Sequence, residues 1–218
     1  MPLVFLALDD TLLDRSGAFR LWSKGFLDEI AAPQDDLEWL VSVDADGLTS
    51  RWDLADLIRE RYRLRVPVID LVDELNTGPL TFERLDPMVG CALEIAGDAG
   101  LVPVVVTNGQ TEQQEARIRR TGVDRYVADW VISEECGVSK PNPRIFALAA
   151  QRVRMRLAGA WVLGDSPEAD IGGAAALGLP SVWLHRGREW VDNRFAPTRV
   201  VGNVIQGISA IMATRETR

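Results

Sequence analysis

The stretch Leu3-Val4-Phe5-Leu6-Ala7-Leu8-Asp9-Asp10-Thr11-Leu12 decides how this chain folds. An apolar run of strand length, Leu3 to Leu8, breaks off at two carboxylates, the pattern of a strand buried on both faces whose carboxyl end meets solvent. Runs of the same kind recur at Leu101 to Thr107, Ala128 to Ile132, Ala160 to Leu163 and Ser181 to Leu184, with helical periodicity between most of them. Together they predict an α/β core around a parallel sheet. Thr111 with Gln114 reads as a capping box opening a helix that ends near Gly122. Ser166 with Pro167 opens another that stops at Gly178.

Residues 15–79 differ in character, with no strand-like run. Phe19, Trp22, Phe26, Leu27 and Ile30 recur at helical spacing, as do Leu37, Leu40 and Val41, then Leu54, Leu57, Ile58 and Tyr62, and Val68, Leu71, Val72 and Leu75. The pattern predicts four short helices, a helical insert at 15–79 within a core formed by 1–14 and 80–218.

With 218 residues, 47% hydrophobic and 26% charged, the chain can bury a sizeable core. Its formal net charge of -8 opposes polyanionic partners, so neither nucleic acid nor an anionic membrane is expected. Cys91 and Cys136 form no close pair and predict neither a disulfide framework nor a thiolate metal site; a reducing cytoplasm is the expected setting. The apolar run at Leu3 has no basic leader before it and ends at Asp9, so export or membrane insertion is not expected.

Four segments carry chemistry. Asp9 and Asp10 follow the first strand at the sheet edge where ligands bind in open α/β folds, although Asp and Thr after a strand also make simple turns. Thr107-Asn108-Gly109 offers a hydroxyl and an amide above the same edge, or else a polar turn opening the next helix. Lys140 stands in Gly137-Val138-Ser139-Lys140-Pro141-Asn142-Pro143, a loop stiffened by two prolines; a lone loop lysine is also often merely solvated. Val162-Leu163-Gly164-Asp165-Ser166-Pro167-Glu168-Ala169-Asp170 delivers one carboxylate at a strand tip and another after a turn. Such hard oxygen donors suit magnesium, while acids at a helix start also answer the macrodipole.

In this order and context the four segments resemble the four sequence motifs of the haloacid dehalogenase superfamily, from Leu3 to Leu184. That family has Asp-x-Asp in the first motif, Thr or Ser in the second, Lys in the third and Gly-Asp with a further Asp in the fourth. Asp9, Thr107, Lys140, Asp165 and Asp170 fall on these positions. Thr107-Asn108-Gly109, Arg119-Arg120-Thr121-Gly122, the run from Val131 to Val138 and the run from Lys140 to Phe146 resemble the pyrimidine 5'-nucleotidase branch in particular. The resemblance implies a Rossmann-like three-layer core, a five-stranded parallel sheet in the order 3-2-1-4-5, and a helical cap that closes over the site.

It also implies attack of an aspartate on phosphorus, an aspartyl-phosphate and its hydrolysis. Asp9 would act as acid and base, and Thr107 and Lys140 would bind phosphoryl oxygens, with Asp10 and Asn108 beside the substrate. The metal positions would be Asp9, through its carbonyl, Asp165 and the supporting Asp170, holding Mg2+. The implied partner is a small phosphorylated metabolite, nucleoside 5'-monophosphates being the first class to screen, with the chain a monomer or homodimer.

The departure is Ala7, which falls on the nucleophile. A methyl group cannot attack phosphorus, and the expected loss is on the order of 10^4 to 10^6 in rate. Two accounts fit: a substitution that traps substrate in an otherwise competent enzyme, favoured because the other positions are filled, or a natural protein that binds a phosphorylated ligand without turnover. Dehalogenation needs no acid at position 9 and no metal, so Asp9, Asp165 and Asp170 together favour phosphorus chemistry. Arg15, Arg20, Trp22 and Lys24 are candidates to meet the leaving group, although Trp22 also lies on the apolar stripe. The run Arg59, Arg61, Arg63 and Arg65 reads as a solvated face.

Overall fold

In the computed structural model, which describes residues 2–216, alternation along β1 (Leu3–Leu6) sorts its side chains between two apolar layers. Leu3 and Phe5 enter one layer, Val4 and Leu6 the other. The remaining strands are β2 (Val102–Thr107), β3 (Asp129–Ile132), β4 (Trp161–Gly164), β5 (Ser181–Leu184) and β6 (Arg199–Val201). They form one sheet in the order β3-β2-β1-β4-β5-β6, each pair parallel. The Rossmann-like α/β fold and the order of the first five strands are as expected, but the sheet has six strands, not five. The added strand, three residues pairing Val182 with Arg199, is too short and too exposed to show an apolar run.

Contacts divide the chain into two compact units, one of residues 1–13 and 85–218, the other of residues 14–84. The second contains α1 (Arg15–Glu29), α2 (Leu37–Asp44), α3 (Arg51–Tyr62) and α4 (Val68–Thr77), matching the four short helices read from the spacing. Phe19, Trp22, Leu27, Leu40, Leu54, Ile58 and Leu75 make its own core. Asp44, buried in this unit, accepts from Arg15 at 2.5 and 2.6 Å and from Arg51 at 2.9 Å.

In the first unit the helices are α5 (Pro87–Asp98), α6 (Thr111–Thr121), α7 (Ser133–Cys136), α8 (Arg144–Arg152), α9 (Gly173–Ala175) and α10 (Val204–Glu216). One layer joins Val4 and Leu6 to Leu93 of α5, Ile118 of α6 and Ile208 of α10. The other joins Leu3 and Phe5 to Ile145 and Phe146 of α8 and to Ala174 of α9, the Phe5 and Phe146 rings lying 5.5 Å apart. Full burial of each such side chain contributes roughly 1.5–3 kcal/mol, so the sheet is anchored on both faces and its carboxyl edge is held rigidly. Among the described residues no helix is long and apolar enough to cross a membrane. Cys91 and Cys136 are both free thiols.

Candidate active site

Parallel pairing sets Leu6 beside Val105 on one side and Leu163 on the other. The residues that follow each of these therefore emerge at one edge of the sheet: Ala7 to Asp10, Thr107 with Asn108, and Asp165. Ala7 prolongs the strand, its N–H donating to Leu163 O at 3.0 Å, and is 6% exposed. Asp10 turns the chain with φ +53°, a left-handed conformation that Asp tolerates better than most residues.

A chain of hydrogen bonds links the edge residues. Gln114 Nε2 donates to Asp9 Oδ2 at 3.1 Å, to Thr107 Oγ1 at 2.9 Å and to Asn108 O at 3.0 Å. Arg117 donates to Asp9 Oδ1 and, at 2.6 Å, to Gln114 Oε1. Asn108 and Lys140 are tied both ways: Asn108 Nδ2 donates to Lys140 O at 3.0 Å, and Lys140 N–H donates to Asn108 Oδ1 at 2.8 Å. Lys140 Nζ then reaches Asp170 Oδ1 at 2.6 Å, in an ion pair whose side chains are 7% and 2% exposed. Asp9, Thr107, Asn108, Lys140 and Asp170, which sequence distributes over four segments, are thus consecutive members of one network. Asn108 has both ends of its amide on the Lys140 backbone, so it fixes the lysine loop.

Asp170 is delivered by a π-helical turn, Pro167–Gly172, in which the N–H groups of Asp170 and Ile171 both donate to Ser166 O, at 3.1 and 3.3 Å. Ser166 caps the turn by accepting from Ala169 N–H at 3.2 Å, and its own N–H donates to Asp170 Oδ2 at 3.0 Å. Gly164 is glycine for a steric reason: a Cβ there would overlap the Asp170 carboxylate.

Asp165 is the remaining acid. Burial first, then the charges of Asp170 and Asp10, push its carboxyl up to about 7, with Arg188 acting the other way. Arg188 donates to Asp165 Oδ2 at 3.1 Å and to Asp165 O at 2.7 Å. Trp183 Nε1 also donates to that carbonyl, at 2.8 Å. Asp10 faces Arg186, whose guanidinium lies 3.3 Å from Oδ1 and donates to Asp10 O at 3.1 Å. For a divalent cation the donor set is thin. Ala7 offers a methyl, the Asp9 carboxylate meets Arg117 and Gln114, and Asp170 meets Lys140. Among the described residues no three His, Cys, Asp or Glu side chains form a metal-holding group. Asp165, raised first by burial and then by the charges of Asp170 and Asp10, is the acid that would suit a magnesium ion, which commonly keeps water and phosphate as ligands.

Four residues escaped the sequence reading. Gln114, expected to close a capping box with Thr111, instead turns inward; Gln110 is the N-cap residue, and Thr111 N–H donates to Glu134 Oε2 at 2.7 Å. Its companion Arg117 stands one turn along α6, and this i, i+3 spacing of two long polar residues was the available signal. Arg186 and Arg188 follow β5 at the same carboxyl edge. In the inserted unit three of the four leaving-group candidates, Arg15, Arg20 and Trp22, have structural partners. Arg15 pairs with Asp44 and Arg20 with Glu38. Trp22 stacks on Phe26 at 5.0 Å and donates to Glu74 at 2.7 Å. Arg61 pairs with Asp36 and covers the Trp39 ring at 4.2 Å, as a solvated face would.

The haloacid dehalogenase-like hydrolase model matches residues 3–178. The pyrimidine 5'-nucleotidase YjjG of Escherichia coli K12 is 36% identical over 104 residues, 46% of this chain and 45% of that protein. A phosphoserine phosphatase of Thermus thermophilus is 31% identical over 120 residues, 55% of this chain and 48% of that protein. The chain thus spans about half the length of these relatives. The HAD-hydrolase YfnB from Bacillus subtilis, in a crystal structure bound to magnesium, aligns with TM-score 0.76 at 19% identity, covering 96% of this chain and 98% of that one. At that identity the likeness speaks for the fold.

Proposed function

Given that the chain belongs to the haloacid dehalogenase-like hydrolase family, we propose that it is a phosphatase scaffold that binds small phosphate monoesters, with nucleoside 5'-monophosphates the first class to screen, and that Ala7 leaves it without turnover. The observation that carries this reading is the unbroken hydrogen-bonded path from Asp9 through Gln114, Thr107 and Asn108 to Lys140 and Asp170. The path holds one hydroxyl, one ammonium and two acids at the edge of the sheet where β1 ends.

Lys140 has three N–H donors; one is spent on Asp170, which holds the ammonium in place while the others serve phosphoryl oxygens. Thr107 offers its hydroxyl to the same group. Asp9, 34% exposed at its side chain, is open enough to protonate a leaving oxygen and then to activate water. A bound magnesium would neutralise charge on the phosphoryl oxygens. Asp165 would hold it with the Asp9 carbonyl. With no carboxylate at position 7, fewer protein ligands would be left for the ion, and its binding would depend more on a bound phosphate.

The similarity to a nucleotidase and to a phosphoserine phosphatase supports monoester substrates. The filled positions around Ala7 are what a substitution in a competent enzyme would leave behind. Restoring aspartate tests the proposal. Phosphate release from p-nitrophenyl phosphate and from nucleoside 5'-monophosphates, with magnesium, is expected to rise by about 10^4-fold or more in Ala7→Asp. No gain in turnover would leave a binding protein in place of a phosphatase.

A further inference from the structure

We infer that Gln114 and Arg117 of α6 are positioning residues that set the donor direction of Thr107 and the orientation of the Asp9 carboxylate toward a phosphoryl group; the inference rests on the phosphate-binding reading and deepens it. Both side chains are buried, Gln114 at 3% and Arg117 at 6% exposure, although they are among the most polar residues on their helix. Burial of this kind is unfavourable unless each polar atom is matched, and here the matches run to the reacting edge of the sheet.

The geometry gives each residue a separate task. Arg117 donates to Gln114 Oε1 at 2.6 Å, which fixes the amide with Nε2 facing the strand tips. That nitrogen has two hydrogens and three acceptors around it: Asp9 Oδ2, Thr107 Oγ1 and Asn108 O. Thr107 Oγ1, accepting from Gln114, has its own hydrogen left to donate, and it gives this to Asn108 O at 3.2 Å. Because two hydrogens are shared among three acceptors, Gln114, 3.0 Å from Asn108 O, can supply that carbonyl when the hydroxyl swings to an arriving phosphoryl oxygen. Arg117 at the same time holds Asp9 Oδ1, and Gln114 Nε2 lies 3.1 Å from Oδ2, so the carboxylate keeps one orientation toward the arriving group. A single helix therefore orients one donor and one acid that lie 98 positions apart in sequence.

The test uses Arg117→Met, Arg117→Lys and Gln114→Met, each in the chain as it stands and with Ala7→Asp. Titration calorimetry with inorganic phosphate and magnesium reads binding; p-nitrophenyl phosphate hydrolysis reads turnover. Arg117→Met and Gln114→Met are each expected to weaken phosphate binding about tenfold and, with Ala7→Asp, to lower kcat by about 10- to 100-fold while KM changes less than about threefold. Arg117→Lys, which keeps the charge, is expected to recover at least about fivefold of the kcat lost with Met. Melting curves identify folded variants, and if Arg117→Met does not fold, Gln114→Met carries the test because it removes no charge. Phosphate affinity and kcat within about twofold of parent in a folded Gln114→Met overturn the inference, as does a lysine variant no better than methionine. If the parent and Ala7→Asp neither bind phosphate nor turn over, the functional reading falls and takes this inference with it. If the parent binds and the variants match it, the functional reading stands alone.

Discussion

Replacing Lys140 by methionine separates the structural from the ligand-binding work of the ammonium. At 2.6 Å from Asp170 Oδ1 the gross attraction is roughly 6 kcal/mol at an effective dielectric constant of about 20, and desolvation of both groups offsets much of it. Removing one partner is a different matter, because Asp170 is 2% exposed and would be left as a buried charge. The expected destabilisation is about 3–5 kcal/mol, or roughly 6–20 °C in Tm for a chain of this size. Asp170→Asn alone leaves the ammonium buried and should also destabilise. The double variant Lys140→Met with Asp170→Asn removes both charges and keeps an acceptor for Ser166 N–H, so it should lie within about 2 kcal/mol of the parent. Urea denaturation followed by tryptophan fluorescence, in EDTA, measures all four proteins. A single Lys140→Met variant within about 1 kcal/mol of the parent, or a double variant whose loss equals the sum of the singles, would refute the buried-pair argument.

Asp165 should make stability depend on pH. Its carboxyl stands at about 7 in the folded chain against an ordinary value of 3.8, so between these limits the folded form binds more protons than the unfolded one. Its contribution therefore falls as pH rises from about 4 to about 7, by up to roughly 4 kcal/mol, and is flat above that. Denaturation in EDTA across this window should show a clearly shallower fall in Asp165→Asn, and an unchanged slope would remove Asp165 as the cause. Trp22→Ala should cost about 3–5 kcal/mol through lost packing against Phe19 and Phe26, while nucleoside and non-nucleoside phosphates keep their relative affinities. A selective loss of nucleotide binding in a folded Trp22→Ala would instead return the ring to ligand recognition.

The fold was legible because its strands are continuous apolar runs and its inserted helices keep their spacing from Phe19 to Leu75. β6 was not, since Arg199 and Val200 are exposed and three residues carry no periodicity. At the site, none of Asp9, Thr107, Lys140, Asp165 and Asp170 stands out alone, since each reads equally as a turn, a cap or a solvated residue, and it is their order across four segments that singles them out. Gln114 could not be read, because Thr and Gln three apart satisfy a cap and an inward-facing network equally well in one dimension. What decides between them is the Glu134 carboxylate, which reaches Thr111 N–H from 23 positions away and frees Gln114 to turn inward. Arg117, Arg186 and Arg188 were hidden for a related reason. A basic residue on a helix or after a strand is ordinarily solvated, and only tertiary structure brings a carboxylate to it.

These basic residues bear on why alanine is accepted at position 7. Asp9 is paired with Arg117, Asp10 with Arg186, Asp165 with Arg188 and Asp170 with Lys140. The four acids of the edge thus have four cations in contact with them. A carboxylate at position 7 would enter a place that is 6% exposed, where on the proposed reading a magnesium ion would be the cation that meets it. Such a group makes a site reactive at the expense of local stability. Alanine removes that buried charge, continues the strand through its backbone bond to Leu163 and leaves the hydrogen-bonded network whole. On the proposed reading, loss of the nucleophile and retention of phosphate binding are compatible, because the hydrogen bonds that hold Asp9, Thr107, Asn108, Lys140 and Asp170 nowhere pass through the side chain at position 7.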